Sequence, residues 1–240
     1  MTKNATNTVL MIRPVAFALN EQTAVDNFYQ KKGTSEQNAQ ELARDEFDGF
    51  VKNLRAKGVR VEVLDDTLVP HTPDSIFPNN WISMHDDGRI VLYPMKAENR
   101  RLERRSDIFE ELERRGYEVG TTIDYTASEY EERYLEGTGS MVLDHDSKIA
   151  YLARSQRADE GLFRVFCAEF KYTPVVFTLG FIAELPHPQR DAITAKGCLE
   201  VGWTTGRDHP AALDDGQLIS QGIHLLEVVA AQQHGGALIT

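Results

Sequence analysis

The sequence predicts an α/β fold built from repeated ββαβ units. Helical and strand-like hydrophobic patterns alternate as far as residue 178. The order helix, strand, hairpin occurs twice and then begins a third time. Gly58 and Gly116 lie 58 positions apart, and Arg89 and Lys148 lie 59 apart. A repeat of this length indicates a closed, pseudo-symmetric arrangement of similar units.

The first copy contains three predicted elements: a helix at 35–57, a strand at 59–66 and a hairpin at 81–95. Apolar residues at helical spacing fill the first range, between Ser35 as N-cap and Gly58 as the stop. Alternating valines predict a strand with one buried face. Two apolar runs on either side of Asp87-Gly88 are typical of a hairpin.

The second and third copies repeat this order. The predicted elements are a helix at 101–116, a strand at 117–124, a hairpin at 140–153, a helix at 158–171 and a strand at 172–177. Gly116 closes the second helix, and Asp146-Ser147 forms the second hairpin turn. The opening run at 8–14 is either the last strand of a preceding unit or an edge of its own.

The composition excludes several classes of partner. The 26 basic and 37 acidic residues give a net charge of −11, which repels nucleic acid and acidic membrane surfaces. We therefore expect a small-molecule partner. Cysteine occurs only as Cys167 and Cys198, too few for a disulfide framework and consistent with a reducing compartment. The absence of a signal-like segment and of a long apolar run predicts a cytoplasmic protein.

Two loops precede the hairpins at equivalent positions of the repeat: "FPNN" (77–80) and "EGTG" (136–139). If rotation relates the units, these loops meet at the axis and form one site. The alternative is that both are only turns, because Pro, Asn and Gly are common turn residues. The local sequence leaves both interpretations open.

Four motifs resemble the arginine deiminase and amidinotransferase superfamily, and its bacterial citrulline-utilising branch in particular. They are "VLMIRPVAFALNEQTAVDNFYQ" (9–30), "FPNNWISMHDDGRIVLYPMKAENRRLERR" (77–105), "EGTGSMVLD" (136–144) and "YLARSQRA" (151–158). The resemblance implies a five-bladed α/β propeller, here incomplete, with an axial active site and no metal or cofactor. It also implies a hydrolase in which a cysteine thiolate attacks a guanidino or ureido carbon.

The resemblance assigns roles to single residues. Glu136 falls on the carboxylate that accepts hydrogen bonds from the substrate's terminal nitrogens, and Arg100 and Arg157 fall on positions that bind the substrate's α-carboxylate. Asn80 falls where arginine-handling relatives have an aspartate, which favours the neutral ureido group of citrulline. The remaining assignments are Asn79, Gly137 and Gly139 in substrate binding and His187 near the proton-shuttling histidine.

Some of these residues have simpler interpretations. Arg100 lies in "NRRLERR", a run typical of a solvated helix face, and Arg157 could cap the following helix. Prolines on both sides of His187 favour a rigid loop. Cys167 has the surroundings of a core residue, and His85 and His145 are predicted to be solvated beside their hairpin turns.

After Thr178 the resemblance ends. The family's His-Thr-Asn motif is missing, and Cys198 comes too early to match the nucleophile. We therefore assign 1–178 to an amidinotransferase-like domain and 179–240 to a divergent C-terminal segment of the same domain, which is either native or the product of a shifted reading frame. Three hypotheses stay open: an amidino or ureido hydrolase, a non-catalytic amino-acid-binding relative, and a truncated inactive product. An incomplete ring would expose edges that favour a homo-oligomer.

Overall fold

The structure, a computed structural model, describes residues 6–24 and 36–178, which form a mixed α/β fold. Its strands are β1 (Thr8–Arg13), β2 (Arg60–Asp65), β3 (Ile82–Met84), β4 (Ile90–Leu92), β5 (Thr122–Asp124), β6 (Met141–Asp144), β7 (Ile149–Ala153) and β8 (Thr173–Phe177). Its α-helices are α1 (Glu21–Ala24), α2 (Glu36–Ala56), α3 (Glu98–Arg101), α4 (Asp107–Arg114), α5 (Gly137–Ser140) and α6 (Glu160–Phe170). Short 3₁₀ helices cover Pro78–Asn80 and Thr126–Glu131. The predicted α/β class is confirmed.

Two three-stranded sheets share one topology, with the orders β3-β4-β5 and β6-β7-β8. In each sheet the first two strands form an antiparallel hairpin, and the third strand returns parallel to the middle one after a helix. Val91 thus pairs with Ile123, and Tyr151 pairs with Val175. The predicted ββαβ unit is confirmed in both sheets.

The first strand belongs to a separate sheet. β1 pairs in parallel with β2, from Thr8 opposite Arg60 to Arg13 opposite Asp65. This is the pairing that β4 makes with β5. β1 and β2 form a sheet of two strands, so β1 is an edge strand among the described residues, as the second alternative proposed.

The predicted helix at 101–116 is wrong in its first half. The chain forms the single turn of α3, leaves the helical path after Arg101 and resumes at Asp107 with α4. The break has a physical cause, because it lets Arg101 and Arg104 reach backbone carbonyls of residues 93–96. The strand predicted at 117–124 is shorter than expected, since only β5 is extended and paired.

The hydrophobic core lies between the sheets and their helices. One cluster joins β6 and β7 to the inner face of α6, with Leu152, Phe163 and Phe166 fully buried. A second cluster joins β3 and β4 to Ile108 and Leu112 of α4. These packed layers fix the ends of the hairpins, and therefore the loops before them. None of the helices in the described ranges has the length and apolar character needed to cross a bilayer.

Candidate active site

The two loops that precede the hairpins lie against each other. The 3₁₀ turn Pro78–Asn80 leads into β3, and the single turn of α5 leads into β6. Asn79 Nδ2 donates to Thr138 Oγ1 at 2.7 Å, and Asn80 Nδ2 lies 3.5 Å from Glu136 Oε2. The convergence predicted from the repeat is therefore present. The two loops are turns, as the alternative proposed, but they are also one contact surface.

Glycine permits this close approach at two positions. A Cβ atom at Gly137 would lie 2.2 Å from the carbonyl oxygen of Asn79, and the φ of Gly137 is +40°. A Cβ atom at Gly139 would lie 2.2 Å from Asn80 Nδ2. Both distances are shorter than any ordinary non-bonded contact. The loops pack in this way with Asn79 and Asn80 in their observed positions because neither glycine has a side chain.

Glu136 lies at the centre of the surface and is 1% exposed. Its Oε1 accepts a hydrogen bond of 3.1 Å from the backbone N–H of Lys96. Its Oε2 has two longer contacts, each of 3.5 Å, to Asn80 Nδ2 and Arg157 Nη1. One oxygen is thus firmly bound by the backbone. The other has weaker contacts and could still accept a hydrogen bond from a ligand nitrogen.

Arg157 is brought to Glu136 by its own backbone. Its carbonyl oxygen accepts from Ser140 Oγ at 2.6 Å and from the backbone N–H of Glu136 at 3.3 Å. The prediction that Arg157 caps the following helix is wrong, because Asp159 is the N-cap and its Oδ1 accepts from the backbone N–H of Leu162 at 2.8 Å. The Arg157 side chain is 31% exposed and forms an ion pair with Glu136.

Arg100 does not lie on a solvated helix face, because it is 4% exposed. Its guanidinium binds both carboxylate oxygens of Glu103 at 2.9 Å and donates to the carbonyl oxygen of Phe77 at 3.1 Å. Burial raises the pKa of Glu103 to about 7, although Arg100 acts in the opposite direction. In this structure Arg100 fixes the backbone just before Pro78, and its hydrogen bonds go to protein groups.

His85 and His145 are buried, so the prediction that they are solvated is wrong. The His85 ring lies 4.2 Å from that of Phe170, and His85 Nε2 is 2.8 Å from Ser83 Oγ. Burial lowers the pKa of His85 to about 3, which keeps the imidazole neutral. No local sequence pattern predicts this, because the covering aromatic ring comes from a helix far along the chain.

The site also contains polar groups that the sequence did not single out, and these are backbone N–H groups and side-chain hydroxyls. They include the Lys96 N–H, Thr138 Oγ1 and Ser140 Oγ, which donates to the Arg157 carbonyl and accepts from the Glu136 N–H at 2.9 Å. Hydrogen bonds of this kind depend on loop geometry, and residue type gives no direct signal for them.

The sequence of the chain matches the model of one known protein family. A family model described as N,N dimethylarginine dimethylhydrolase, eukaryotic, matches residues 13–182, which is more than half of the chain. The chain belongs to this family. The predicted resemblance to the arginine deiminase and amidinotransferase superfamily is thereby confirmed. No curated protein sequence matches the chain.

Solved structures of related proteins share the fold. The N-terminal domain of ArgZ, an arginine dihydrolase from cyanobacteria, bound to substrate, has a TM-score of 0.53 and 16% identity over 72% of this chain. DDAH from Pseudomonas aeruginosa complexed with citrulline gives 0.52 and 17% over 73%. A dimethylarginine dimethylaminohydrolase adduct with S-methyl-L-thiocitrulline gives 0.51 and 18% over 73%. The chain covers 58%, 62% and 62% of these structures, respectively.

The described residues of this dimethylhydrolase family member include one cysteine, Cys167. Cys167 is buried in α6, as the sequence predicted, and burial raises the pKa of its thiol to about 11, which disfavours the thiolate. His187 and Cys198 lie outside the described residues. In the described ranges no group of three or more His, Cys, Asp and Glu side chains is arranged to hold a metal ion.

Proposed function

We propose that this chain acts on a C–N bond of a guanidino or ureido amino acid. The observation that supports the proposal is the meeting of Glu136, Asn80 and Arg157 at one buried carboxylate between the two loops. A planar, resonance-stabilised carbon is a poor electrophile, so its hydrolysis needs hydrogen bonds that hold and polarise it as well as a nucleophile. Glu136 Oε2 would accept from the terminal nitrogens of the substrate.

The finer features of the fold are part of this proposal. The repeated ββαβ unit supports an α/β propeller. In this proposal residues 1–178 form the part of the domain that holds the substrate, and 179–240 form a divergent C-terminal segment of the same domain. The proposed chemistry uses protein side chains, with a small amino acid as partner and no metal or cofactor. The cytoplasmic location and the self-association of an incomplete ring stay predictions.

We infer that the preferred ligand resembles citrulline rather than arginine. Asn80 presents an amide beside Glu136, and an amide can donate to a ureido oxygen as well as accept, whereas a second carboxylate would favour a guanidinium. One of the similar structures contains citrulline, and another is of an arginine dihydrolase, so both ligand classes occur among these proteins.

Calorimetry with L-citrulline and L-arginine tests the proposed site. We expect tighter binding of citrulline, and we expect Glu136→Gln to weaken binding about tenfold or more, because it removes a charged acceptor. Glu131→Gln is the matched control, since the Glu131 carboxylate is 65% exposed and pairs with Arg133. Equal binding by wild type and Glu136→Gln would contradict the proposed role of Glu136.

Asn80→Asp tests the origin of the ligand preference. The change keeps the size of the side chain and adds a negative charge next to Glu136 Oε2, so it should shift the preference toward the cationic arginine side chain. The measurement is the ratio of the two dissociation constants in each variant. Tighter binding of arginine by the wild type, or an unchanged ratio in Asn80→Asp, would show that Asn80 does not set the preference.

We expect the 240-residue chain to release ammonia from either amino acid very slowly. Cys167 is buried, and Cys198 does not match the family's nucleophile, so the covalent step would lose several orders of magnitude in rate. An ammonia assay with wild type and Cys198→Ser tests this. Rapid turnover that is abolished in Cys198→Ser would show that Cys198 is the nucleophile and that the expectation is wrong.

The second candidate function is a non-catalytic amino-acid-binding relative. It is favoured by the loss of the His-Thr-Asn motif after Thr178, while the residues around Glu136 are kept. A rise in melting temperature with citrulline, without ammonia release, would support this candidate, because a ligand that binds only the folded state stabilises it by mass action.

A further inference from the structure

Residues Tyr93–Lys96, which follow β4, form a segment whose backbone is fully engaged. The N–H of Tyr93 donates to the carbonyl oxygen of Trp81 at 2.9 Å, and the Pro94 carbonyl accepts from the N–H of Leu135 at 3.1 Å. Side chains bind the remaining groups: Arg104 binds the Tyr93 carbonyl, Arg101 binds the carbonyls of Met95 and Lys96, Glu129 accepts from Met95 N–H, and Glu136 accepts from Lys96 N–H. Each backbone donor and acceptor of the segment therefore has a defined direction.

Glu129 binds several members of this network. Its Oε1 accepts from Met95 N–H at 2.8 Å and from Arg104 Nη1 at 2.6 Å, and its Oε2 accepts from Arg104 Nη2 at 2.9 Å. Arg101 Nε lies 3.5 Å from the same carboxylate. The Glu129 side chain is 10% exposed. A bidentate arginine contact fixes both the place and the plane of a carboxylate.

The two consecutive amides Met95 and Lys96 donate to two different carboxylates, Glu129 and Glu136. Met95 and Lys96 lie after β4 and outside any strand, with Lys96 in a bend. Holding the Met95 N–H on Glu129 restricts the Met95 backbone, and it therefore restricts the direction of the Lys96 N–H that follows it. That second N–H is the closest described donor to the Glu136 carboxylate, at 3.1 Å from Oε1.

We propose that Glu129, held by Arg104 and Arg101, is a positioning residue that aims the Lys96 N–H at Glu136 Oε1. This contact fixes the Glu136 carboxylate so that Oε2 is directed at the ligand. The part that concerns the ligand rests on the proposed function. The part that concerns Lys96 and Glu136 does not, and it can be tested without any ligand.

The test uses the amide proton of Lys96. The sequence contains five methionines, and only Met95 is followed by lysine. Labelling methionine with ¹³C at the carbonyl and lysine with ¹⁵N therefore selects the Lys96 amide as a single resonance in a carbonyl-correlated NMR spectrum. A hydrogen bond to a carboxylate moves such a proton downfield. Glu136→Gln gives the reference shift that is expected when the charged acceptor is removed.

We expect Glu129→Gln to move the Lys96 amide proton upfield, in the same direction as Glu136→Gln. A glutamine can still accept from Met95 N–H, but its NH₂ group cannot accept from Arg104, so the bidentate contact is lost. Glu131→Gln, the exposed neighbour, should leave the resonance in place. An unchanged Lys96 resonance in folded Glu129→Gln would overturn the proposal.

Arg104→Lys is the second variant, for the case in which Glu129→Gln does not fold. It keeps the positive charge but replaces the two-point contact with Glu129 by a single one, so a smaller upfield shift is expected. An unmoved resonance in this variant would likewise overturn the proposal.

Calorimetry with citrulline then distinguishes the positioning role of Glu129 from the proposed binding of ligand at Glu136. If the wild type binds citrulline, Glu129→Gln should weaken binding about tenfold through the misplaced Glu136. Unchanged affinity would overturn the ligand part of the proposal. If the wild type does not bind but the Lys96 resonance moves, the proposed function fails while the positioning role of Glu129 stands.

Discussion

At the scale of single residues, Gly137 and Gly139 show two different reasons for a missing side chain. At Gly137 the obstacle to a Cβ atom is the Asn79 carbonyl oxygen, part of the backbone, and the φ of +40° disfavours other residues. At Gly139 the obstacle is the Asn80 amide, a side chain that can rotate away. Gly137 therefore permits the backbone contact between the two loops, and Gly139 permits the position of the Asn80 side chain beside Glu136.

This difference predicts different effects of two alanine substitutions. Gly137→Ala should lower the free energy of unfolding by about 2 kcal/mol or more, since neither the backbone oxygen nor the φ can adjust easily. Gly139→Ala should cost about 1 kcal/mol or less in stability, but it should weaken ligand binding by displacing Asn80. Urea unfolding and citrulline calorimetry measure the two effects.

Gly49→Ala is the control for these substitutions. Gly49 lies within α2, and among the described residues no atom lies within 4 Å of its Cβ position apart from its chain neighbours and the backbone of its own helix, so alanine should stabilise the protein by about 0.5 to 1 kcal/mol. Equal stability losses in Gly137→Ala and Gly139→Ala would contradict the distinction between a backbone obstacle and a side-chain obstacle.

At the scale of elements, α4 and α6 begin differently. The carboxylate of Asp159 accepts a hydrogen bond from the Leu162 N–H at the start of α6. Ser106 occupies the same position before α4 but makes no capping hydrogen bond with its side chain, and its own backbone is already helical. The start of α6 therefore depends on its cap, whereas the start of α4 does not.

Alanine at the two N-cap positions tests this difference. Asp159→Ala should lower the free energy of unfolding by about 1 kcal/mol, because it leaves a donor of the first turn without its partner. Ser106→Ala should leave stability within about 0.5 kcal/mol of the wild type. Chemical denaturation followed by circular dichroism measures both, and equal losses would contradict the assignment of the caps.

At the scale of the whole described fold, one repeat docks on the next through a buried histidine. His85 follows β3, and its ring packs on Phe170 of α6, the helix of the other three-stranded sheet. Arg89, from the same hairpin, also lies over the Phe170 ring, with its Cζ 3.9 Å from the ring centroid. Arg89 forms an ion pair with Glu169 as well. Protonating His85 would place a charge in this contact.

The buried histidine predicts a loss of stability in acid. Burial lowers the pKa of His85 to about 3, while nearby Asp87 acts in the opposite direction. The unfolded state takes up the proton near pH 6.5 and the folded state only near pH 3. The unfolded state thus binds more protons in this window. His85 therefore does not reduce the free energy of unfolding above pH 6.5. Below pH 6.5 it lowers the free energy of unfolding by up to about 1.4 kcal/mol per pH unit.

Urea unfolding at pH 7.5 and pH 5.5 measures this contribution. His85→Phe is the comparison, because phenylalanine keeps an aromatic ring against Phe170 and cannot bind a proton. The variant should lose less stability than the wild type between the two pH values. An equal loss in both proteins would show that His85 is not responsible for the acid sensitivity.

The sequence by itself determined the repeat and the residues that the two loops bring together. Hydrophobic periodicity and glycine stops are local signals, and they predicted α2, α6 and both hairpins because each element satisfies its own backbone hydrogen bonds. The equivalent positions of 77–80 and 136–139 in the repeat predicted their meeting. The motifs around Glu136 predicted the superfamily to which the matched family belongs.

Tertiary structure alone decided which way the charged and titratable side chains point. Periodicity places "NRRLERR" on a helix, but the chain breaks the helix because carbonyls of residues 93–96 and the carboxylates of Glu103 and Glu129 offer these arginines more partners than water-facing positions would. His85 is buried for a similar reason, since Phe170, distant in sequence, covers it. Such contacts join residues far apart along the chain, so no local pattern encodes them.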